Sequence, residues 1–143
     1  MREPPLHSTS EVSFPIAQAD LANTISPDAL AKSGKKPRFM TVGEKAVIND
    51  GTRTVELYHV TDSHHTDSFL MVYLPKEKLL IEADSFTPLP PNAPAPVPAN
   101  PLHANLVDNL GQLKMPVEKI LPLHGRVVPA SDLYAAVGQP APK

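Results

Sequence analysis

The apolar positions of this chain follow two rhythms. Through the middle they crowd into short β-rich runs separated by turn residues, and towards the end they recur at helical spacing. Residues 45–48 and 52–60 read as paired strands. Asn49-Asp50-Gly51 is the turn between them, because Asp-Gly supplies the positive φ of a tight hairpin. TVELYHV alternates as a half-buried strand would. SFLMVYL (68–74) and KLLIEA (78–83) form a second hairpin around Pro75, Lys76 and Glu77, since proline pre-sets φ and cannot extend a ladder. Leu102, Leu106, Leu110 and Leu113 predict an amphipathic helix over 102–114. A short buried strand over 117–125 ends in Leu123-His124-Gly125, and a capped helix follows over 131–138. Upstream, 26–34 predicts a helix with Ser26 as cap, Pro27 in the first turn and Gly34 as stop. A strand near 38–42 follows it.

Hairpins in the middle and alternating helix and strand later imply a layered α/β fold. With 143 residues the chain holds one domain of modest core. Residues 1–26 have weak periodicity and read as a flexible arm with a short helical piece at 16–23. The folded unit is 27–138, and 139–143 read as a disordered tail. The proline-dense stretch 87–101 is neither helix nor inner strand, so it runs as an extended surface loop.

Net charge is -2 with no basic stripe, which argues against a nucleic-acid or anionic-membrane partner. No apolar run approaches the roughly 20 residues of a membrane span. The N-terminus has no apolar signal core, which points to the cytoplasm; a processed periplasmic chain would read the same way. There are no cysteines, so disulfides and thiolate metal sites are excluded, and any metal must be held by His, Asp or Glu.

The open end of the second hairpin carries the candidate chemistry. His64, His65 and Asp67 precede its first strand and Asp84 follows its second, so antiparallel pairing brings imidazole and carboxylate together. His124 ends a further strand. Alone, each of His65, Asp84 and His124 reads first as a strand-end cap, a partner of a backbone carbonyl or a turn former. Together they suit zinc, with iron or manganese also compatible. Neighbouring strand residues face opposite ways, so His64 and His65 do not both face a metal. Asp67 is a candidate to orient an imidazole, or a solvated turn residue. His7, His59 and His103 read as ordinary surface or half-buried histidines.

HHTDSFLMVYLPKEKLLIEADSFTP followed by KILPLHGRVVP resembles the C-terminal half of the metallo-β-lactamase-fold hydrolases, over about residues 27–138. The resemblance implies half of an αββα sandwich, a mixed or antiparallel sheet with helices on one face. By position His65 resembles a histidine of the first metal site, Asp84 the carboxylate bridging two metals, and His124 the last histidine, on the second metal. Asp67 and His64 become candidates to orient a ligand or carry protons, and Tyr73, Phe86 and the proline loop candidates to shape a pocket. The family's HxHxDH signature is absent from the sequence, and the chain is too short for the N-terminal half of the sandwich. The implied function is a truncated zinc-dependent hydrolase of ester, thioester, lactone or β-lactam type small molecules. The alternative is a non-catalytic metal-binding or oligomerising fragment whose partner carries HxHxDH. A half-sandwich exposes apolar sheet, so a homodimer or other self-association is expected.

Overall fold

The structure, a computed structural model, describes residues 6–8, 27–36 and 39–142. The chain divides into two compact units, Met1–Gly43 and Glu44–Lys143. In the first, β1 (Leu6–Ser8) pairs in parallel with β2 (Phe39–Thr41), and α1 (Ala29–Ser33) lies between them in sequence. Apart from 6–8, the expected arm and its helical piece at 16–23 lie outside the described residues. The cap of α1 is Asp28 rather than Ser26: its side chain accepts from the Ala31 amide at 2.8 Å, and Gly34 closes the helix at φ 65.

The second unit is a six-stranded mixed sheet in the order β3 (Lys45–Asn49), β4 (Thr54–His59), β5 (Leu70–Leu74), β6 (Leu79–Glu82), β7 (Lys119–Pro122), β8 (Val128–Pro129). All neighbours are antiparallel except β6 and β7, which are parallel. Parallel neighbours need a crossover, and α2 (Pro101–Gln112) supplies it. The terminal helix α3 (Ala130–Ala136) starts one residue before expectation, with Pro129 at its cap position and no side-chain cap bond. Among the described residues, no helix is long and apolar enough to cross a membrane.

Cross-strand register sorts the sheet into two faces. One row runs Val47, Glu56, Tyr73, Leu80, Ile120, Val128 from strand to strand. Its Leu80, Ile120 and Val128 join Met71, Leu106, Leu110 and Leu133 in the core, which fills the space between this face and the two helices. On α2 the buried face is His103, Leu106, Val107, Asn109 and Leu110; Leu113 is at the C-cap and exposed, so the leucine stripe ends a turn early. The opposite row runs Ala46, Leu57, Val72, Ile81, Leu121 across five strands. It is apolar throughout and none of its members belongs to that core, although Leu57 is buried, Ala46, Val72 and Ile81 are half-buried and only Leu121 is exposed. The expected buried strand at 117–125 is therefore buried on one side only: β7 alternates, with Ile120 inside and Leu121 and Leu123 exposed.

The β3–β4 turn is held by Asp50, whose Oδ1 accepts from the Thr52 amide (2.8 Å), the Thr52 hydroxyl (2.7 Å) and the Arg53 amide (2.8 Å). These bonds, that from Arg53 foremost, hold the Asp50 carboxyl at about 2 against an ordinary 3.8. A depressed folded-state pKa means the turn's contribution is complete above pH 3.8 and is lost as pH falls through 2. An NMR titration of the Asp50 carboxyl carbon in the folded chain should give a midpoint near 2. A midpoint at the ordinary value would show that the turn does not hold the carboxylate.

Candidate functional site

Topology brings three chain ends to one edge of the sheet. β5 is antiparallel to β6, so the loop entering β5 lies beside the end of β6; β7 is parallel to β6, so their ends coincide. The first loop carries His65, the residues after β6 carry Asp84, and those after β7 carry His124. Asp84 stands between the two imidazoles. Its Oδ1 is 2.9 Å from His124 Nε2, and its Oδ2 is 3.7 Å from His65 Nε2. The side chains keep 37%, 48% and 62% of their exposure for Asp84, His65 and His124. Pairs this wet contribute about 0–1 kcal/mol, so it is the strand pairing and not these contacts that brings the three residues together. Among the described residues no group of three or more His, Cys, Asp or Glu is arranged to hold a metal ion.

The loop bearing His65 is tied down along its length. The Val60 amide donates to the Phe69 carbonyl (2.9 Å), and His59 Nε2 donates to the Asp67 carbonyl (2.7 Å). From α2, Asn109 Oδ1 accepts from the Thr61 amide (2.8 Å) and hydroxyl (3.0 Å), while its Nδ2 donates to the Thr61 carbonyl (3.1 Å). Asn105 Nδ2 donates to the carbonyls of Thr61 (2.9 Å) and Asp62 (3.0 Å). The His65 ring meets Phe69 edge-on at 5.5 Å. β5 begins at Leu70, two residues later than the sequence suggests, so His64 and His65 sit in a bend and not on a strand. His64 lines a cavity of about 290 Å³ with Asp62, Asn105 and Asp108, and Asp67 is exposed.

Glu82 was not among the candidates. It is the last residue of β6, faces the core side and is only 4% exposed. Its Oε2 accepts from the amides of Ser85 (2.9 Å) and Phe86 (3.1 Å), and its Oε1 is buried without a partner. Burial pushes its carboxyl up to about 7; the two amide bonds oppose this, the Asp84 charge adds to it and His124 lowers it. The signal was present in LLIEAD, where Glu82 shares a face with the apolar Leu80 at strand period. Tyr73 and Phe86 do not shape the site. Both are buried, Tyr73 donating to the Pro116 carbonyl (2.8 Å) and Phe86 meeting the buried His103 edge-on at 5.0 Å.

Gly125 follows His124 at φ 108, and a Cβ there would meet the Pro88 ring at 3.1 Å. The glycine thus lets the backbone come close to the first proline of the loop. Arg126 Nη1 reinforces it by donating to the Leu89 carbonyl (2.9 Å), with Nη2 3.5 Å from Asp132.

No protein-family model matches the sequence, and no curated protein matches it. Solved structures do. The chain resembles a metallo-beta-lactamase from Pontibacter korlensis (TM-score 0.54, 17% identity) over 93% of its own length and 56% of that chain. It resembles an archaeal metallo-beta-lactamase superfamily protein from Sulfolobus tokodaii (TM-score 0.53, 14% identity) over 93% and 56%. The rubredoxin oxygen:oxidoreductase of Desulfovibrio gigas matches with TM-score 0.57 and 19% identity, over 92% and 35%. The chain therefore has part of the metallo-β-lactamase fold, and spans about half, or about a third, of the length of the structures it matches.

Gly125→Ala would force a Cβ into left-handed backbone against Pro88. It should lower the unfolding free energy by about 1–3 kcal/mol, read by urea denaturation. An unchanged midpoint would show that the proline loop yields freely.

Proposed function

We propose that this chain supplies the His65–Asp84–His124 edge of a zinc site in a metal-dependent hydrolase of the metallo-β-lactamase superfamily. The observation that carries this reading is Asp84, whose two carboxylate oxygens are directed to two different imidazoles at one sheet edge. The donor set fits zinc in kind: two imidazoles and a carboxylate, with no thiolate. Iron or manganese would accept the same ligands. The chemistry such an ion supplies when bound is a water acidified towards neutral pH and a polarised acyl or phosphoryl oxygen. In this reading Asp84 and the imidazoles of His65 and His124 are the ligands. His64 and Asp67, on the same loop as His65, are the proton carriers. The proline loop, joined to the site through Pro88 and Gly125, borders the substrate. Substrates are small molecules of ester, thioester, lactone or β-lactam type.

A second reading is favoured by the apolar row Ala46, Leu57, Val72, Ile81, Leu121, which lies outside the helix-side core. With HxHxDH absent from the sequence, the chain would then be a non-catalytic fragment. Its sheet face would take another copy of itself or a partner that carries the remaining ligands.

One experiment separates the two: zinc content per chain of the purified protein and of His65→Ala and His124→Ala, together with solution mass and a substrate screen. The hydrolase reading expects about one zinc per chain. Either substitution should remove the metal and hydrolysis together. No metal uptake from added zinc would favour the fragment reading, and hydrolysis that survives His124→Ala would overturn the metal-centred mechanism.

A further inference from the structure

We infer that Glu82 is a positioning residue, whose buried carboxyl braces the turn after β6 and so fixes Asp84 where its carboxylate lies between His65 and His124. Asp84 adopts φ 69, the left-handed region that a residue with a Cβ enters only at a cost. The two amides that follow it, those of Ser85 and Phe86, converge on one oxygen of Glu82. Both residues are buried, so neither amide has water as an easy substitute, and an unpaired buried amide is costly. A backbone that turns back to satisfy both donors leaves Asp84 at its apex. The other side of the same residue is engaged too. The Glu82 carbonyl accepts from the Leu123 amide at 2.9 Å, immediately before His124. Glu82 thus sets the strand end that bears the carboxylate and the neighbouring strand end that bears one of its imidazoles.

The consequence for metal rests on the reading of Asp84 as a ligand; the brace itself is geometry of the chain. Its test therefore has two independent readouts, on the wild type, Glu82→Gln and Glu82→Met. Gln keeps a side-chain oxygen acceptor, whereas Met fills similar volume without one. The first readout, without metal, is hydrogen exchange of the Ser85 and Phe86 amides and the backbone chemical shifts of Asp84. Protection should be present in the wild type and in Glu82→Gln. In Glu82→Met it should fall at least about tenfold, with Asp84 leaving its left-handed conformation. The second is zinc affinity, expected to fall about ten- to a hundredfold in Glu82→Met and to stay within about threefold in Glu82→Gln. A residue that merely stabilises the fold would lower the melting temperature and leave the affinity of the folded protein unmoved.

Unprotected Ser85 and Phe86 amides in the wild type would overturn the inference even if Glu82→Met fails to fold. So would loss of protection in Glu82→Met with Asp84 and the zinc affinity unchanged. A wild type that binds no zinc would remove the metal reading alone, and the exchange data would still decide the brace.

Discussion

Everything at the candidate site depends on β6 having an antiparallel neighbour on one side and a parallel neighbour on the other. An antiparallel partner delivers the start of a strand to the end of β6, and a parallel partner delivers another end. Three segments far apart in sequence, around His65, Asp84 and His124, are thereby brought to one edge by backbone pairing alone. No side chain at the site needs to contribute stability for this to happen. The sheet is stabilised instead by the core between its helix-facing row and α2 and α3, where Leu80 and Ile120, the central members, are fully buried. The candidate site lies at the ends of the strands and the stabilising core at their middles.

This division explains what could be read in the sequence. The hairpin ends were legible because strand runs and turn residues are local: Pro75 to Lys78 turns the chain, and pairing then follows with no knowledge of the rest. The proximity of His65 to Asp84 followed from that alone. The nearness of His124 needed the β6–β7 pairing, which is non-local, and came through the family resemblance. What stayed hidden was support supplied at long range. Asn105 and Asn109 hold Thr61 from more than forty residues away, and they read in the sequence only as polar positions of an amphipathic helix. Asn109 is in fact buried with both ends of its amide engaged. The cap of α1 is not legible locally, because Ser26 and Asp28 are both good caps and the one used, Asp28, depends on where the first turn closes.

The two faces of the sheet are unequal in a way that matters more than their composition. Both central rows are rich in aliphatic residues, yet only one contributes to the helix-side core; in the other, Leu57 is buried outside that cluster. An apolar row across five strands gains roughly 25 cal/mol for every Å² it loses to a covering surface. Only the part of the row still open to solvent, Leu121 foremost, is left for a further covering surface to gain. Leu121 and Leu123, exposed on and just beyond β7, extend this surface to the edge where His124 emerges. A surface that covered these two residues would lie next to the candidate site.

The strained position of Asp84 can be weighed against what holds it. Left-handed backbone at a residue with a Cβ costs about 1–2 kcal/mol. Leaving a buried amide unpaired costs about 1–3 kcal/mol, and two amides are at stake. The Glu82 brace therefore at least matches the strain even if each bond is taken at the low end of that range. Glu82 itself has to be buried, and burial is why its carboxyl titrates near 7. A neutral carboxyl still presents an oxygen to both amides, so the turn survives protonation. Its Oε1, buried without a partner, marks the one place where this arrangement is incomplete. Glycine at 84 would remove the strain, whereas an aliphatic residue at 82 would leave both amides unpaired. Keeping two carboxylates there, one buried to support the other, is the pattern expected when the position of Asp84 matters more than its cost.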